Sequence, residues 1–169
     1  MGLLTIYNED SICSERKVSD GYAMNAMHIH DVYEIYMALS DGLKYFVNDR
    51  VYSLDRGDIM LFSNLDLHRI SVPADKPYER YVITFPPEAL PSNAGGFDRL
   101  LDCFTRHDGP TSHRLSLNEA EQRTFISLAD AIGMYKNESP YSRISQVLAL
   151  CQLLVFLNEV SLRDRKSVV

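Results

Sequence analysis

The chain has 169 residues, of which 46% are hydrophobic and 24% are charged, and this composition is typical of one folded domain. A net charge of −6 argues against direct binding to nucleic acid, because phosphate contacts require a concentrated basic surface. Three cysteines, an odd number without close spacing, argue against a disulfide framework and favour the reducing cytoplasm.

Short strands separated by turns are predicted over residues 22–85. Residues 28–38 alternate in polarity, and two strand-like runs within residues 44–52 flank Asn48 and Asp49. These two residues tolerate the left-handed backbone of a tight turn, so a hairpin is expected there. Further strands are predicted at residues 59–62, 68–72 and 78–85. Short strands without intervening helices indicate a sandwich or a small barrel.

Helical periodicity replaces the strand pattern after residue 87, and residues 97–104 predict a short helix. Ser116 and Glu119 have the spacing of a capping box, so a longer helix should begin there and reach about Tyr135.

Ser139 and Pro140 predict the start of a last helix, which should reach about Val160. Its most apolar run, residues 147–157, has 11 residues and contains Gln152. That length is too short for a bilayer, so no membrane span is predicted.

Three histidines and one carboxylate form a candidate metal site. His28, His30 and Glu34 have even spacings, so in a strand they share one face. His68 follows in a later strand, eleven residues after Gly57. Such a set can coordinate Zn, Ni, Mn or Fe. The alternative is a metal-free, hydrogen-bonded polar cluster in the mouth of the barrel, in contact with an effector.

Other positions are candidates for a pocket or for plain core. Val32, Tyr36 and Ala38 continue the face of the histidines, and Val32 and Tyr36 are candidate effector-binding residues. His107 and His113 fall in a predicted loop and are expected to face solvent. The orientation, into the barrel or away from it, stays open for Tyr45, Val47, Met60, Phe62 and Tyr81.

The run HIHDVYEIYMALSDGLKYFVNDRVYSLDRGDIMLF, with LHRI after it, resembles the two motifs of the cupin superfamily. It is more similar to the N-terminal sensing domain of AraC-type bacterial transcription regulators, and the resemblance covers about residues 20–165. It implies a mainly β fold with α: a cupin-like double-stranded antiparallel β-helix, or jelly-roll barrel, followed by a C-terminal helix pair. It also implies a ligand sensor without catalytic residues, in which His28, His30, Glu34 and His68 bind a metal or the effector.

The expected organisation is an N-terminal arm at residues 1–20, a cupin barrel at 21–87, and a helical dimerisation region at 88–169 packed on the barrel. The expected partners are a small-molecule effector, with a sugar as one candidate, and a second copy of the chain. DNA would be bound only through a C-terminal domain beyond this chain, which would then be part of a longer regulator. The apolar surplus of the last helix predicts a dimer seam of Leu150, Leu153 and Leu157. The alternative function is a stand-alone metal-dependent cupin enzyme, an isomerase or a dioxygenase.

Overall fold

The computed structural model describes residues 6–7, 11–20, 24–92, 95–105, 113–135 and 139–166. The strands are β1 (Ile6–Tyr7), β2 (Cys13–Ser19), β3 (Ile29–His30), β4 (Tyr33–Ala38), β5 (Leu43–Val47), β6 (Arg50–Leu54), β7 (Asp58–Phe62), β8 (His68–Ser71), β9 (Tyr78–Phe85) and β10 (Arg114–Ser116). The α-helices are α1 (Asp102–Thr105), α2 (Glu119–Met134) and α3 (Pro140–Lys166). Two short 3-10 helices, Pro87–Ala89 and Phe97–Leu101, precede α1.

Two antiparallel sheets form the barrel. One has the order β10-β7-β4-β9-β2 and the other β6-β5-β8, while β1 and β3 make a short parallel pair. The predicted hairpin joins β5 to β6, and Asn48 at its turn has a φ of 52°. The predicted mainly antiparallel β fold with C-terminal helices is confirmed.

The five-stranded sheet is covered on both faces, which explains why its central strands have apolar residues on both faces. One face and the three-stranded sheet enclose the barrel core, formed by Tyr36, Ala38, Leu43, Tyr45, Val47, Tyr52, Leu54, Met60, Phe62, Ile70 and Tyr78. The opposite face packs against the helices. Tyr45, Val47, Met60 and Phe62, left open by the sequence, therefore lie inside the barrel, whereas Tyr81 faces the helices.

Several boundaries differ from those that the sequence predicted. Residues 13–19, predicted as part of an arm, are the edge strand β2 and pair with β9 over seven positions. The strand predicted at residues 28–38 is interrupted at Asp31 and Val32. The capping box of α2 is formed by Asn118 and Glu121, two residues later than the pair predicted from the sequence, Ser116 and Glu119.

Helix α3 runs six residues beyond its predicted end and is buried on the barrel side. Leu150, Leu153 and Leu157, which the sequence placed in a dimer seam, are each 0% exposed and belong to the core of their own chain. The predicted seam is therefore wrong in its residues. The helix is long and apolar enough to cross a membrane by length and composition, a test that core helices of soluble proteins also pass.

Candidate functional site

Four side chains converge at one end of the barrel interior. The ring centroid of His68 lies 4.2 Å from that of His28 and 5.1 Å from that of His30, and the centroids of His28 and His30 are 5.8 Å apart. One nitrogen of each ring lies within 4.8 Å of the corresponding nitrogens of the other two. Glu34 Oε2 is 2.9 Å from His30 Nε2 and 3.9 Å from His68 Nε2. The structure thus brings together the four candidate ligands.

Backbone pairing holds this cluster in place. The amides of His28 and His68 each donate to the other residue's carbonyl at 3.0 Å, which joins the segment before β3 to β8. The His68 ring stacks on Phe62 of β7, with 4.1 Å between centroids and a 4° interplanar angle. Glu34 of β4 is paired with Phe62 on one side and Thr84 on the other. The ring and the carboxylate are therefore fixed by neighbouring strands.

The hydrogen bonds of the cluster determine where its protons lie. His30 Nδ1 is 2.8 Å from the carbonyl of Val32, and His68 Nδ1 is 2.9 Å from the carbonyl of Asp66. A carbonyl oxygen only accepts, so both rings donate from Nδ1. When His68 is neutral, its Nε2 then carries a lone pair, and this atom is buried without a hydrogen-bond partner among the described residues.

Burial and mutual charge set the ionisation of these groups. Burial, together with the neighbouring His68, lowers the pKa of His28 to about 4, although Glu34 opposes the shift. Burial also lowers the pKa of His68. Burial alone would raise the pKa of Glu34, but the hydrogen bond from His30 and the charges of the histidines outweigh it and lower that pKa. The cluster therefore favours neutral His28 and His68 beside an ionised carboxylate.

This donor set fits a divalent metal. Neutral imidazole nitrogens and an ionised carboxylate are ligands for Zn, Ni, Mn or Fe. His68 Nε2 lies 3.9 Å from Glu34 Oε2, and His30 Nε2 lies 2.9 Å from the same oxygen and donates to it in the metal-free protein. A metal bound by His30 would displace that proton. Both histidines also have Nδ1 held by a carbonyl, an arrangement common for metal-binding imidazoles. A cation among these atoms would satisfy the buried lone pair.

A cavity of about 370 Å³ extends from the cluster along the inner face of the five-stranded sheet. Three rows of paired residues from β2, β9 and β4 line it, here called rows 1 to 3. Row 1 is Cys13, Thr84 and Glu34; row 2 is Glu15, Val82 and Tyr36; row 3 is Lys17, Arg80 and Ala38. All of them line the cavity except Ala38, which lies in the barrel core. Further lining comes from Met24, His28, His30, Val32, Tyr45, Ile70 and Tyr78.

The predicted effector-binding residues lie at this cavity. Val32 and Tyr36 line it with His28, His30 and Glu34, while His68 lies behind the other two histidines and is 0% exposed. Sequence reasoning missed Arg80 and Lys17. The alternation of Tyr78, Arg80, Val82 and Thr84 on one face of β9 was the available signal.

A second buried histidine contradicts its predicted place. His113, expected to face solvent, is 6% exposed, and its Nε2 is 3.1 Å from Asp66 Oδ1. Its Nδ1 is 3.1 Å from the hydroxyl of Tyr52. The prediction failed because β10, which begins at the next residue, was not recognised as a strand of the barrel sheet. His107 lies outside the described residues.

The barrel, the histidine cluster and the helices packed on one sheet define a cupin-type ligand-binding domain. The profile of the AraC-like ligand binding domain family matches residues 11–152, and the chain belongs to this family. The sequence matches none of the curated proteins with which it was compared.

Three solved structures illustrate what the chain is similar to. A cupin protein from Bacteroides fragilis shares 19% identity, with 52% of this chain and 86% of that chain covered and a TM-score of 0.40. ToxT from Vibrio cholerae shares 11% identity, with coverages of 89% and 54% and a TM-score of 0.48. The AraC-like transcriptional activator CuxR shares 14% identity, with coverages of 74% and 42% and a TM-score of 0.42. The chain spans about half the length of the two regulators.

Proposed function

We propose that the chain is the sensing part of an AraC-type transcription regulator and binds a small-molecule effector in the barrel cavity. The observation that carries this proposal is the cavity of about 370 Å³ that opens beside the histidine cluster. Its volume lies in the range of small-molecule sites, and its wall combines apolar side chains with a few polar groups. Effector binding would shift the population of conformers that present the rest of the regulator to DNA.

Native mass spectrometry of the protein purified from its host tests the effector proposal. Val82, in the middle row, lines the cavity and is replaced by Trp to fill part of it. Wild type is expected to retain a small molecule that denaturation releases, and Val82→Trp is expected to lose it. Val51→Trp, on an exposed strand position, is the matched control and should behave as wild type. Retention of the same molecule by Val82→Trp would place its site elsewhere.

The histidine cluster would hold a divalent metal in this sensing domain. His28, His30, His68 and Glu34 are the proposed ligands, supported by the lone pair of His68 Nε2 and by the ionised carboxylate beside it. A metal at this end of the cavity would supply a Lewis acid to which oxygen atoms of an effector can bind. Where no metal is held, His28, His30 and Glu34 would contact the effector directly, and His68 would support them from behind.

A second copy of the chain is the proposed partner of α3. Five large apolar side chains form one exposed stripe along the helix, between 40% and 77% exposed; they are Tyr141, Ile144, Leu148, Val155 and Leu162. Their spacings of three, four, seven and seven residues follow a heptad pattern, which is typical of helices that pair in a coiled coil. Exposed apolar residues are ordinary when scattered, but a continuous stripe marks an interface.

The regulator itself would act on DNA through a further domain and would work in the cytoplasm. The acidic chain carries a net charge of −6, which supports a role in sensing and not in DNA contact. Sequencing of the natural gene beyond Val169 tests this proposal. An in-frame helix-turn-helix region is expected, and a stop codon directly after Val169 would contradict it.

A second candidate function is a metal-dependent cupin enzyme. The observation that favours it is the same cluster, since three imidazoles and a carboxylate can hold a metal that activates substrate or oxygen. A regulator and an enzyme differ in what they release. A regulator releases its effector chemically unchanged, whereas an enzyme releases a product. Mass analysis of the molecule retained by wild type, before and after incubation with added metal, distinguishes the two.

A further inference from the structure

We propose that the effector is an organic anion whose carboxylate or phosphate group binds Arg80 while its other end reaches the histidine cluster. This inference rests on the proposed function, because it assigns a ligand class to the same cavity. It is carried by the position of one buried cation on the cavity wall.

Arg80 is 8% exposed and lies in β9 between Glu79 and Tyr81. Its Nη1 donates to Ser19 Oγ at 2.8 Å, and its guanidinium lies 4.2 Å from the ring centroid of Tyr78. These contacts hold the guanidinium against the wall of the cavity. Burying a charge is costly, so buried charges are paired with polar or charged groups. The contacts with Ser19 and Tyr78 fix the guanidinium, and an anion in the cavity would add a charge-assisted contact.

The three rows carry different groups. Row 1 carries Glu34 and adjoins the histidines, row 2 combines Tyr36 and Val82 with Glu15 at the rim, and row 3 carries Arg80 opposite Lys17. Row 1 and row 3 are four residues apart along β9, which corresponds to about 13 Å between Cα atoms. Arg80 lines the cavity together with Tyr36 and Tyr78, and its guanidinium lies 4.2 Å from the ring centroid of Tyr78.

The carboxylates of the cavity are engaged where they stand. Glu34 accepts from His30 at 2.9 Å at the far end, and Glu15 pairs with Lys17 at 3.1 Å at the rim. Both members of the rim pair are about half exposed, so solvent screens it. Arg80 is the deeper cation. Its planar fork matches a carboxylate or a phosphate in bidentate fashion, and low local polarity strengthens such a contact.

The chemistry at the two ends defines the ligand. One end of the molecule is anionic and meets Arg80, with Lys17 adding positive potential from the rim. The middle passes Tyr36 and Val82, where an apolar or hydroxylated carbon skeleton fits. The other end carries an oxygen function that reaches the histidines. Sugar acids, sugar phosphates and similar hydroxy acids have this arrangement.

Matched acids and neutral analogues test the inference by thermal shift at constant ionic strength and millimolar ligand. The carboxylate arm compares glucuronate with glucose and benzoate with benzyl alcohol; the phosphate arm compares glucose 6-phosphate with glucose. At least one acid is expected to stabilise the protein more than its neutral analogue does. The arm that responds identifies the anionic group.

Variants then assign the response to Arg80. Arg80→Gln should weaken binding of that acid by about tenfold or more, and Arg80→Lys should weaken it less. Arg69→Gln removes an arginine that stacks on Phe46, 4.3 Å from its ring centroid, and is the matched control with wild-type affinity. If Arg80→Gln fails to fold, Lys17→Gln at the rim should still lower the affinity.

Three outcomes overturn the inference. The first is a neutral analogue that binds as tightly as its acid, the second is an acid whose affinity Arg80→Gln leaves unchanged, and the third is a panel in which no acid binds. Neutral ligands that Val82→Trp excludes would refute the anionic class but leave the sensing function intact. A protein from which native mass spectrometry releases no small molecule, and which no compound stabilises, would contradict both.

Discussion

His113 Nε2 lies 3.1 Å from Asp66 Oδ1, although the two residues are 47 positions apart. The same carboxylate accepts from the amide and the hydroxyl of Ser63 at 2.8 and 2.7 Å, and from Asn48 Nδ2 at 3.1 Å. The backbone carbonyl of Asp66 in turn accepts from His68 Nδ1. One buried residue thus connects the entrance of β10 to a candidate metal ligand.

The first prediction concerns the stability that this network supplies. Burial alone would raise the pKa of Asp66, but hydrogen bonds from His113 and Ser63 outweigh burial and lower that pKa. These hydrogen bonds therefore stabilise the ionised form of the Asp66 carboxylate. Asp66→Ala leaves several buried donors without an acceptor and should cost about 3 kcal/mol. Tyr52→Phe removes the hydroxyl that lies 3.1 Å from His113 Nδ1, at the outer end of the network, and should cost about 1 kcal/mol. Urea unfolding followed by circular dichroism measures both.

If Asp66→Ala is no more destabilising than Tyr52→Phe, water replaces the lost acceptor and the network is not structural. Metal affinity provides a second readout, because the orientation of His68 depends on the carbonyl of residue 66, which the substitution retains. A variant that keeps its fold but loses metal binding would show that the carboxylate positions the loop around His68.

Local sequence signals predicted most elements, but they placed the cap of α2 two residues too early and missed β10. Ser116 and Asn118 both have a Glu three positions later, so either could cap α2. Ser116 instead pairs with Asp58 in the sheet, and its hydroxyl donates to the Asp58 carboxylate at 2.6 Å. The choice depends on β10, a three-residue strand too short to show a period. The pairing of β10 with β7 therefore determines which residue caps α2, and the local sequence pattern could not show this.

The proposed metal ligands were predicted from their residue types and spacing, whereas Arg80 was missed. His28, His30 and Glu34 have the even spacing of one strand, although the structure places them before β3, in β3 and in β4. Arg80 joins the cavity only through the register of β9 with its two neighbours, and a register is a long-range property. The prediction of Leu150, Leu153 and Leu157 as dimer contacts was wrong for a similar reason. The periodicity of α3 shows that the helix is apolar on several sides, but it does not show which side the barrel covers.

The second prediction concerns metal. Protein purified without chelators should contain about one equivalent of Zn, Ni, Mn or Fe by elemental analysis. Chelation should lower the unfolding temperature by several degrees, on the order of 5 °C, because a ligand bound only to the folded state stabilises it. His30→Ala should remove both the metal and the shift.

Cys13→Ser is the matched control for the metal prediction, since Cys13 lines the same cavity beside row 1 but is not one of the four proposed ligands. It should bind metal as wild type does. Loss of metal in Cys13→Ser would add a thiolate to the site. Wild-type protein that contains no metal and does not respond to added metal would favour a cluster that binds its effector by hydrogen bonds alone.

The third prediction concerns alkaline pH at the junction of sheet and helix. The Tyr81 hydroxyl donates to Asp130 Oδ1 of α2 at 2.8 Å. Burial and this hydrogen bond raise the pKa of Tyr81 to about 12, above its ordinary value of 10. Because the folded-state pKa is raised, the contribution of Tyr81 to stability is complete below pH 10 and is lost as the pH rises toward 12.

Wild type and Tyr81→Phe should therefore differ in unfolding free energy at neutral pH and converge within that alkaline window. Urea unfolding at several pH values measures the difference. Tyr135→Phe, at the exposed end of α2, is the control and should show no convergence. A constant difference between wild type and Tyr81→Phe across the window would mean that the hydroxyl is ionised equally in both states.

The last prediction concerns dimerisation through the exposed stripe of α3. Leu148 and Val155 lie in its centre, 55% and 52% exposed and seven residues apart, so one face of the helix presents both. Burial of a fully exposed Leu or Val is worth about 2 kcal/mol, and about half of that is gained here because each side chain is already half buried. A two-fold axis doubles the gain, which offsets part of the association cost. Val155→Glu should then convert a dimer to a monomer in sedimentation experiments without lowering the free energy of unfolding of the monomer.

Leu65→Glu, at a 78% exposed loop position, should leave the dimer intact. Leu153→Glu should instead unfold the chain, because its side chain is 0% exposed in the core. Monomeric wild type at about 100 µM, where even a weak homodimer would be populated, would show that the stripe does not pair with itself.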